Sequence, residues 1–394
     1  MELTLEEEEI LAGNHGEMLR KLMKLLVDLG NSYGADKLID IVSAHTVLNF
    51  GLNFVNAANQ VLHEIAEAGL VVKVPTTADP IVDMDFAEDL KQILGMFPLQ
   101  EQMVKDLGQI GVRGFTCTPY FLDNRPNLGD HCAWSESSSV IYLNSALGGR
   151  SNREGGILDL ASAITGKTPN YGLHLTENRK GQVLFRVHVD GWNEYDLSSI
   201  GLRIGEIAGT RIPVVEGIDG LTFDNLKNLG AASAATGAVA LIHVVGLTPE
   251  ASTRDEAFQG DSPEETIDIV PEDLREVREK YSTTWPDPAK NITIGCPHLS
   301  EAEVIEVLQK LEGKRVAPGK NLWICCCQGV KEAIAGSPYN DLLVASGAKL
   351  ATLCPMLTPF PRPLTTNSGK SSFYFNCTYR SMDECIRIAT EADS

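Results

Sequence analysis

Three cysteines share one local setting. "GVRGFTCTPY" puts Cys117 after a strand-like run and two residues before Pro119; "NITIGCPHLS" and "KLATLCP" put Cys296 and Cys354 directly before Pro297 and Pro355. Each stretch predicts a strand, then a thiol, then a proline that ends the strand and fixes the outgoing φ. In an α/β sheet the crevice beyond the strand C-termini is where ligands bind. A nearby helix N-terminus or metal favours the thiolate, and three thiolates from three loops could hold a cubane iron–sulfur cluster by three corners. The fourth iron would then face a hydroxyl or carboxylate as a Lewis acid. Two other readings fit the same residues. One is a structural zinc site completed by His298, and the other is a cluster used for binding or sensing without catalysis.

The other cysteines carry no such signal. Cys325, Cys326 and Cys327 lie in the apolar run "LWICCCQ" and read as small buried hydrophobes, while Cys132, Cys377 and Cys385 have no matching context. Nine cysteines without a CxxC spacing leave zinc ribbons and thioredoxin-like motifs unsupported. The acidic start "MELTLEEEEI" lacks the layout of a signal peptide, which predicts reduced thiols and a cytoplasmic protein. A formal net charge of −20 argues against nucleic acid or anionic membrane as partner. The uncharged run at 229–247 is rich in small residues and contains His243, so it predicts a buried helix and then a strand rather than a membrane span.

The elements that must position the thiols alternate as helix and strand, which predicts an α/β fold with mainly parallel sheets. Thr4 with Glu7 and Ser300 with Glu303 are capping-box signatures, and Gly30 reads as a helix stop. "KLIDIVSAH" reads as one strand ending at His45 and "GVRGFTC" as another. Residues 248–285 turn acidic and proline-punctuated, as in a linker or surface excursion with a short charged helix. Three regions follow: 1–125 with the first cysteine, a glycine-rich middle at 126–285, and 286–394 with the other two. "SGKSS" could suggest a P-loop, but Leu364 stands where a glycine is required, and the run is expected to lead into a strand, "SSFYF". ATP binding is therefore not expected. "SALGGRSNREGG" offers Arg150 and Arg153 in a loop that opens a helix, a setting suited to a carboxylate or phosphate.

Several long stretches resemble the large subunit of the aconitase X family. They are "LTLEEEEILAGNHG", "GADKLIDIVSAH", "TCTPY", "GDHCAWSESSSVIYLNSALGGRSNREGG", "ITGKTPNYGLHLTENRKG", "IGCPH" and "TNSGKSSFYF". The resemblance implies an aconitase-like three-layer α/β/α architecture in two or three lobes, with domains that can interleave. It implies an iron–sulfur hydro-lyase whose cluster, four-iron–four-sulfur with one open iron, is held by Cys117, Cys296 and Cys354. The implied substrate is a small hydroxy acid, 5-phosphomevalonate in one branch and cis-3-hydroxy-L-proline in the other. The two-cysteine CxxC of aconitases proper is absent. Family membership further implies a partner, a small swivelling-domain subunit whose serine serves as the base, so that no catalytic base is assigned in this chain.

The substrate residues implied by the resemblance are Ser43 and His45 of "SAH", Asn144 and Ser145 of "LNSA", and Lys370 of "NSGKSS"; it also singles out Arg153. Two places depart from the phosphomevalonate pattern. A small Gly-Val-Ser-type segment is replaced by Leu48, Asn49 and Phe50, and an Asn-Pro by Asp79 and Pro80. Phe50 takes room, and a carboxylate at 79 repels a phosphate dianion. An amino-bearing hydroxy acid would suit Asp79 better.

Overall fold

The computed structural model describes residues 1–48, 52–86, 97–356, 358 and 360–392. Asn49 and Phe50 lie outside the described residues. Among the described residues there are three parallel sheets, each flanked by helices, and one antiparallel pair.

The first part runs α1 (Leu5–Leu11), α2 (Glu17–Ser32), β1 (Leu38–Asp40), β2 (Ser43–Thr46), α3 (Leu52–Glu67), β3 (Thr76–Ala78), α4 (Phe97–Gln109), β4 (Cys132–Trp134), α5 (Ser137–Tyr142), α6 (Gly156–Thr165) and β5 (Lys167–Pro169). The Thr4–Glu7 capping box forms at α1. Gly30 does not stop α2, which continues to Ser32. "KLIDIVSAH" is two strands: β1 pairs antiparallel with β5, whereas β2 is the centre of a parallel sheet ordered β3-β2-β4. The strand expected before Cys117 reduces to a single bridge between Phe115 and Ala78.

The middle part runs β6 (Val183–Val187), α7 (Glu194–Ala208), β7 (Pro213–Glu216), α8 (Phe223–Thr236), β8 (His243–Val244), α9 (Arg254–Ala257), β9 (Glu265–Ile269) and α10 (Pro271–Tyr281). Its parallel sheet is ordered β8-β7-β6-β9. The run at 229–247 is the expected buried helix and strand. The acidic stretch at 248–285 is more than an excursion, since β9 adds five residues to the sheet edge alongside β6. No helix among the described residues is long and apolar enough to cross a membrane.

The last part runs β10 (Asn291–Leu299), α11 (Glu301–Lys310), β11 (Asn321–Cys326), α12 (Gln328–Ala335), α13 (Tyr339–Ser346), β12 (Lys349–Ala351), β13 (Leu364–Thr366), α14 (Gly369–Tyr374), β14 (Thr378–Tyr379) and α15 (Met382–Thr390). All pairs are parallel in the order β12-β11-β10-β13-β14. Alternation along β11 sorts the core: Ile324 and Cys326 pack with residues of α11 and α15, while Trp323 and Cys325 pack on the other face with Val82, Ala351 and Phe360. The Cys325–Cys327 run is thus buried filler, as expected. "SSFYF" is not a strand. Ser371 to Tyr374 belong to α14, so the segment is strand, loop and helix after all, and only the missing glycine at Leu364 still speaks against a P-loop.

Candidate active site

Strand order in the last sheet reverses at β10: the chain moves outward through β11 and β12, then returns to the other side with β13. The crevice at such a switch point binds ligands. Cys296 lies within β10 there, just after its register break, and Lys370 sits one residue into α14, just beyond β13. β2 is the corresponding switch strand of the first sheet, and Val47, Asp79, Ser135 and Glu136 follow the ends of β2, β3 and β4. The two carboxyl edges face one cavity of about 540 Å³. Cys117, Cys296, Cys354, Asp79, Glu136, Arg153, Glu154 and Lys370 line it.

The thiols reach this cavity by routes other than the shared one read from sequence. β10 does not stop at Cys296 but continues to Leu299 with a register break after Ile294. Gly295 makes the break possible: its φ is +109°, and a Cβ there would stand 2.4 Å from the Cys325 carbonyl oxygen. Cys117 lies in coil before a 3₁₀ turn at Pro119–Phe121, and Cys354 follows β12 by three residues. Thr352, just before Cys354, donates its N–H to the buried Asp83 at 2.8 Å, and Lys331 pairs with the same carboxylate at 3.1 Å.

Burial pushes all three thiols up; repulsion from Cys354, Glu136 and Cys296 adds to it at Cys117, from Asp79 and Cys296 at Cys354, and from Glu136 at Cys296. Lys370 counters this at Cys296 and Cys354, as do the hydroxyls of Ser371 and Ser368 at Cys296 and the Met356 N–H at Cys354. The His298 N–H donates to Cys117 Sγ at 3.3 Å. Two buried thiols and one half-buried, with N–H and O–H donors and an ammonium in one cavity, form a donor set that fits an iron–sulfur cluster. A single zinc ion does not fit. Its sulfur ligands stand roughly 3.8 Å apart, and no three ligating side chains among the described residues converge on one ion. His298 is also unavailable as a ligand, because both ring nitrogens are engaged, with Thr116 Oγ1 at 3.1 Å and Leu353 O at 2.9 Å.

Glu136 was not singled out in the sequence, although it opens the "SESSS" run that starts α5. It is the N-cap of α5, with φ at +73°, and accepts the Ser139 N–H at 2.8 Å. It also pairs with Lys370 and accepts from Ser138 Oγ. Burial opposes its charge, but Lys370 outweighs burial and holds the carboxyl below the usual range. A side chain in a left-handed backbone position costs energy, and such strain persists where the surroundings dictate it.

Asp79 is 5% exposed, and its Oδ1 lies 3.7 Å from His45 Nε2; neither atom has a hydrogen-bond partner among the described residues. Burial pushes Asp79 up, against the pull of His45. Thr77 Oγ1 contacts His45 Nδ1 at 2.9 Å and fixes the ring. Pro80 is buried beside Asp79. Ser43 stands behind them and joins β2 to β4 by accepting the Trp134 Nε1–H at 2.7 Å.

Asn144, Ser145 and Arg150 lie outside the lining. Asn144 makes four bonds, two of them to Ser151 and one to Arg179, and Ser145 Oγ accepts the Ile242 N–H at 2.9 Å. Arg150 turns to the His174 carbonyl at 2.8 Å. Arg153 does reach the cavity, and its Nη1 makes a long bond to Ala234 O at 3.4 Å. Its neighbour Glu154 accepts the Tyr171 O–H at 2.7 Å and is a second cavity residue that sequence reading passed over.

Family models for the aconitase X first, second and third domains match residues 1–177, 181–279 and 289–391. The phosphomevalonate dehydratase large subunit of Thermococcus kodakarensis is 41% identical over 95% of both chains, and that of Methanosarcina mazei 39% identical over 99% of this chain and 97% of the relative. The cis-3-hydroxy-L-proline dehydratase of Pseudomonas aeruginosa is 30% identical over 93% of this chain but only 65% of the relative. A crystal structure of Thermococcus kodakaraensis aconitase X in its holo-form superposes with a TM-score of 0.87 at 39% identity, covering 99% of this chain and 100% of the other. The chain belongs to the aconitase X family.

Proposed function

We propose that this chain is the large subunit of an iron–sulfur hydro-lyase that eliminates water from a small hydroxy acid. The observation that carries the reading is the convergence of Cys117, Cys296 and Cys354 with Lys370, Glu136 and Asp79 on one cavity. The nearest activity is that of the large-subunit relatives, which are named for phosphomevalonate dehydration; here it would convert (R)-5-phosphomevalonate to trans-anhydromevalonate 5-phosphate. A cluster bound by the three thiols supplies a Lewis acid for the departing hydroxyl.

The chain's own residues do the rest. Lys370, kept charged and fixed by Glu136, orients the substrate carboxylate. Asp79, which lines the cavity with the buried His45 3.7 Å behind it, can accept a hydrogen bond from the leaving hydroxyl. Arg153 and the start of α6 at Gly155 and Gly156 form a cationic far end for a second anionic group. The proton on the neighbouring carbon is left to a base from the small subunit, in keeping with the relatives' designation as large subunits.

A second reading rests on Asp79. Among the described residues, three carboxyls, Asp79, Glu136 and Glu154, line the cavity against the two cations Lys370 and Arg153, and Lys370 is paired with Glu136. That balance suits a non-phosphorylated hydroxy acid bearing an amino group, cis-3-hydroxy-L-proline being the named example among relatives.

The test is the chain purified without oxygen alongside a small subunit of the family. Iron and sulfide bound together, bleached by Cys296→Ala with loss of dehydration, are the expected result. Turnover of 5-phosphomevalonate against cis-3-hydroxyproline then separates the two substrates. Stoichiometric zinc, or a cluster indifferent to Cys296, overturns the assignment.

A further inference from the structure

All three ligand loops meet at one side chain that is not a ligand. His298 is fully buried and stands two residues after Cys296. Its backbone N–H donates to Cys117 Sγ at 3.3 Å. Its Nδ1 contacts Oγ1 of Thr116, the residue before Cys117, at 3.1 Å. Its Nε2 contacts the carbonyl of Leu353, the residue before Cys354, at 2.9 Å.

The chemistry of these partners settles the roles. A carbonyl oxygen can only accept, so Nε2 carries the proton and Nδ1 accepts from the Thr116 hydroxyl. One neutral imidazole thus spans two loops while its backbone sits in the third. The residue is anchored from behind by Lys227, whose Nζ donates to the His298 carbonyl at 3.0 Å and pairs with Glu303.

We propose that His298 is a positioning residue that sets the spacing of the three cysteines, so that a preformed seat receives the cluster. The inference rests on the cluster reading above. Groups that orient ligands from behind typically matter about 10- to 100-fold in metal affinity.

The experiment compares His298→Phe, Thr116→Val and Phe258→Ala with the wild type, each loaded with iron and sulfide and purified with the small subunit. The readout is the rate at which a chelator removes iron, with the visible spectrum followed alongside. His298→Phe keeps a planar ring but neither hydrogen bond, and iron release should quicken about 10- to 100-fold. Thr116→Val removes the bond to Nδ1 together with the hydroxyl's contacts to Thr118, and leaves the Nε2 bond, so it should give a smaller increase. Phe258→Ala, a destabilising change in the small core with Leu184 and Val214 and outside the cavity lining, should release iron at the wild-type rate. Wild-type release from both His298→Phe and Thr116→Val overturns the inference, as does equal acceleration by Phe258→Ala. Should His298→Phe not fold, Thr116→Val decides alone. A wild type that takes up no iron and sulfide overturns the cluster reading itself, a failure distinct from that of a loaded wild type matched by its variants.

Discussion

The first and last sheets and the middle sheet follow the same parallel scheme, yet only the outer two carry the site. β2, β3 and β4 end in Val47, Asp79 and Ser135–Glu136, and β10 and β13 lead to Cys296 and Lys370, all in the shared cavity. Among the described residues, none between 157 and 295 lines it. The corresponding edge of the middle sheet bears surface ion pairs instead, His188 with Asp268 at 2.8 Å and Glu216 with Arg254 at 2.7 Å. The middle part acts as a brace. α8 supplies Lys227 to the His298 carbonyl, and Ser198 of α7 accepts the Gly369 N–H at 3.0 Å, next to Lys370. A parallel sheet offers a crevice at its switch point, and whether that crevice becomes a site depends on what stands opposite.

Mutations on either side of this division should separate chemistry from scaffold. The largest stability effect is expected at Lys370→Met, which strands Glu136 as a buried, unpaired carboxylate and should cost about 3–5 kcal/mol as well as substrate binding. Urea unfolding of the apo-protein would show it, and Glu136→Gln added to Lys370→Met should recover most of the stability but not the activity. In the middle part, Gly201→Ala would place a Cβ 2.3 Å from the Leu229 carbonyl oxygen and force α7 from α8. A loss of about 1–3 kcal/mol is expected, with kcat/KM per folded molecule unchanged; a matching loss of kcat/KM would show that the brace is part of the site.

An effect that shows only as a slope against pH concerns the junction of the first and middle parts. Burial first, then His131 and two arginines, lowers His174 from 6.5 to about 3. Its neutral form is therefore favoured by folding. The associated stability is complete above pH 6.5 and is lost as pH falls toward 3, because the unfolded chain protonates first. Each pH unit in that window is worth about 1.4 kcal/mol. His174→Gln should flatten the urea midpoint against pH by that amount, and an unchanged slope would contradict it.

Much of this was legible in the chain itself. Capping boxes at Thr4 and Ser300, the parallel α/β rhythm and the family resemblance all depend on residues near one another in sequence, where spacing is a physical constraint. Local context and resemblance singled out three of the nine cysteines, and these three line one cavity. Their route into the cavity was not legible there, because a bulge at Gly295 depends on the neighbouring Cys325 backbone. Glu136 escaped notice because its importance lies in Lys370, 234 residues away, and Asn144 and Arg150 looked like substrate groups because their partners, Arg179 and His174, are fixed only by folding. His298 shows the limit most clearly: beside Cys296 and Pro297 it resembled a zinc ligand, and only the approach of Thr116 and Leu353 turned its ring nitrogens to other work. Local chemistry, set by residue type and spacing, was determined by the sequence alone. Which polar atoms meet across distant loops was decided by tertiary packing, since burial obliges each of them to find a partner.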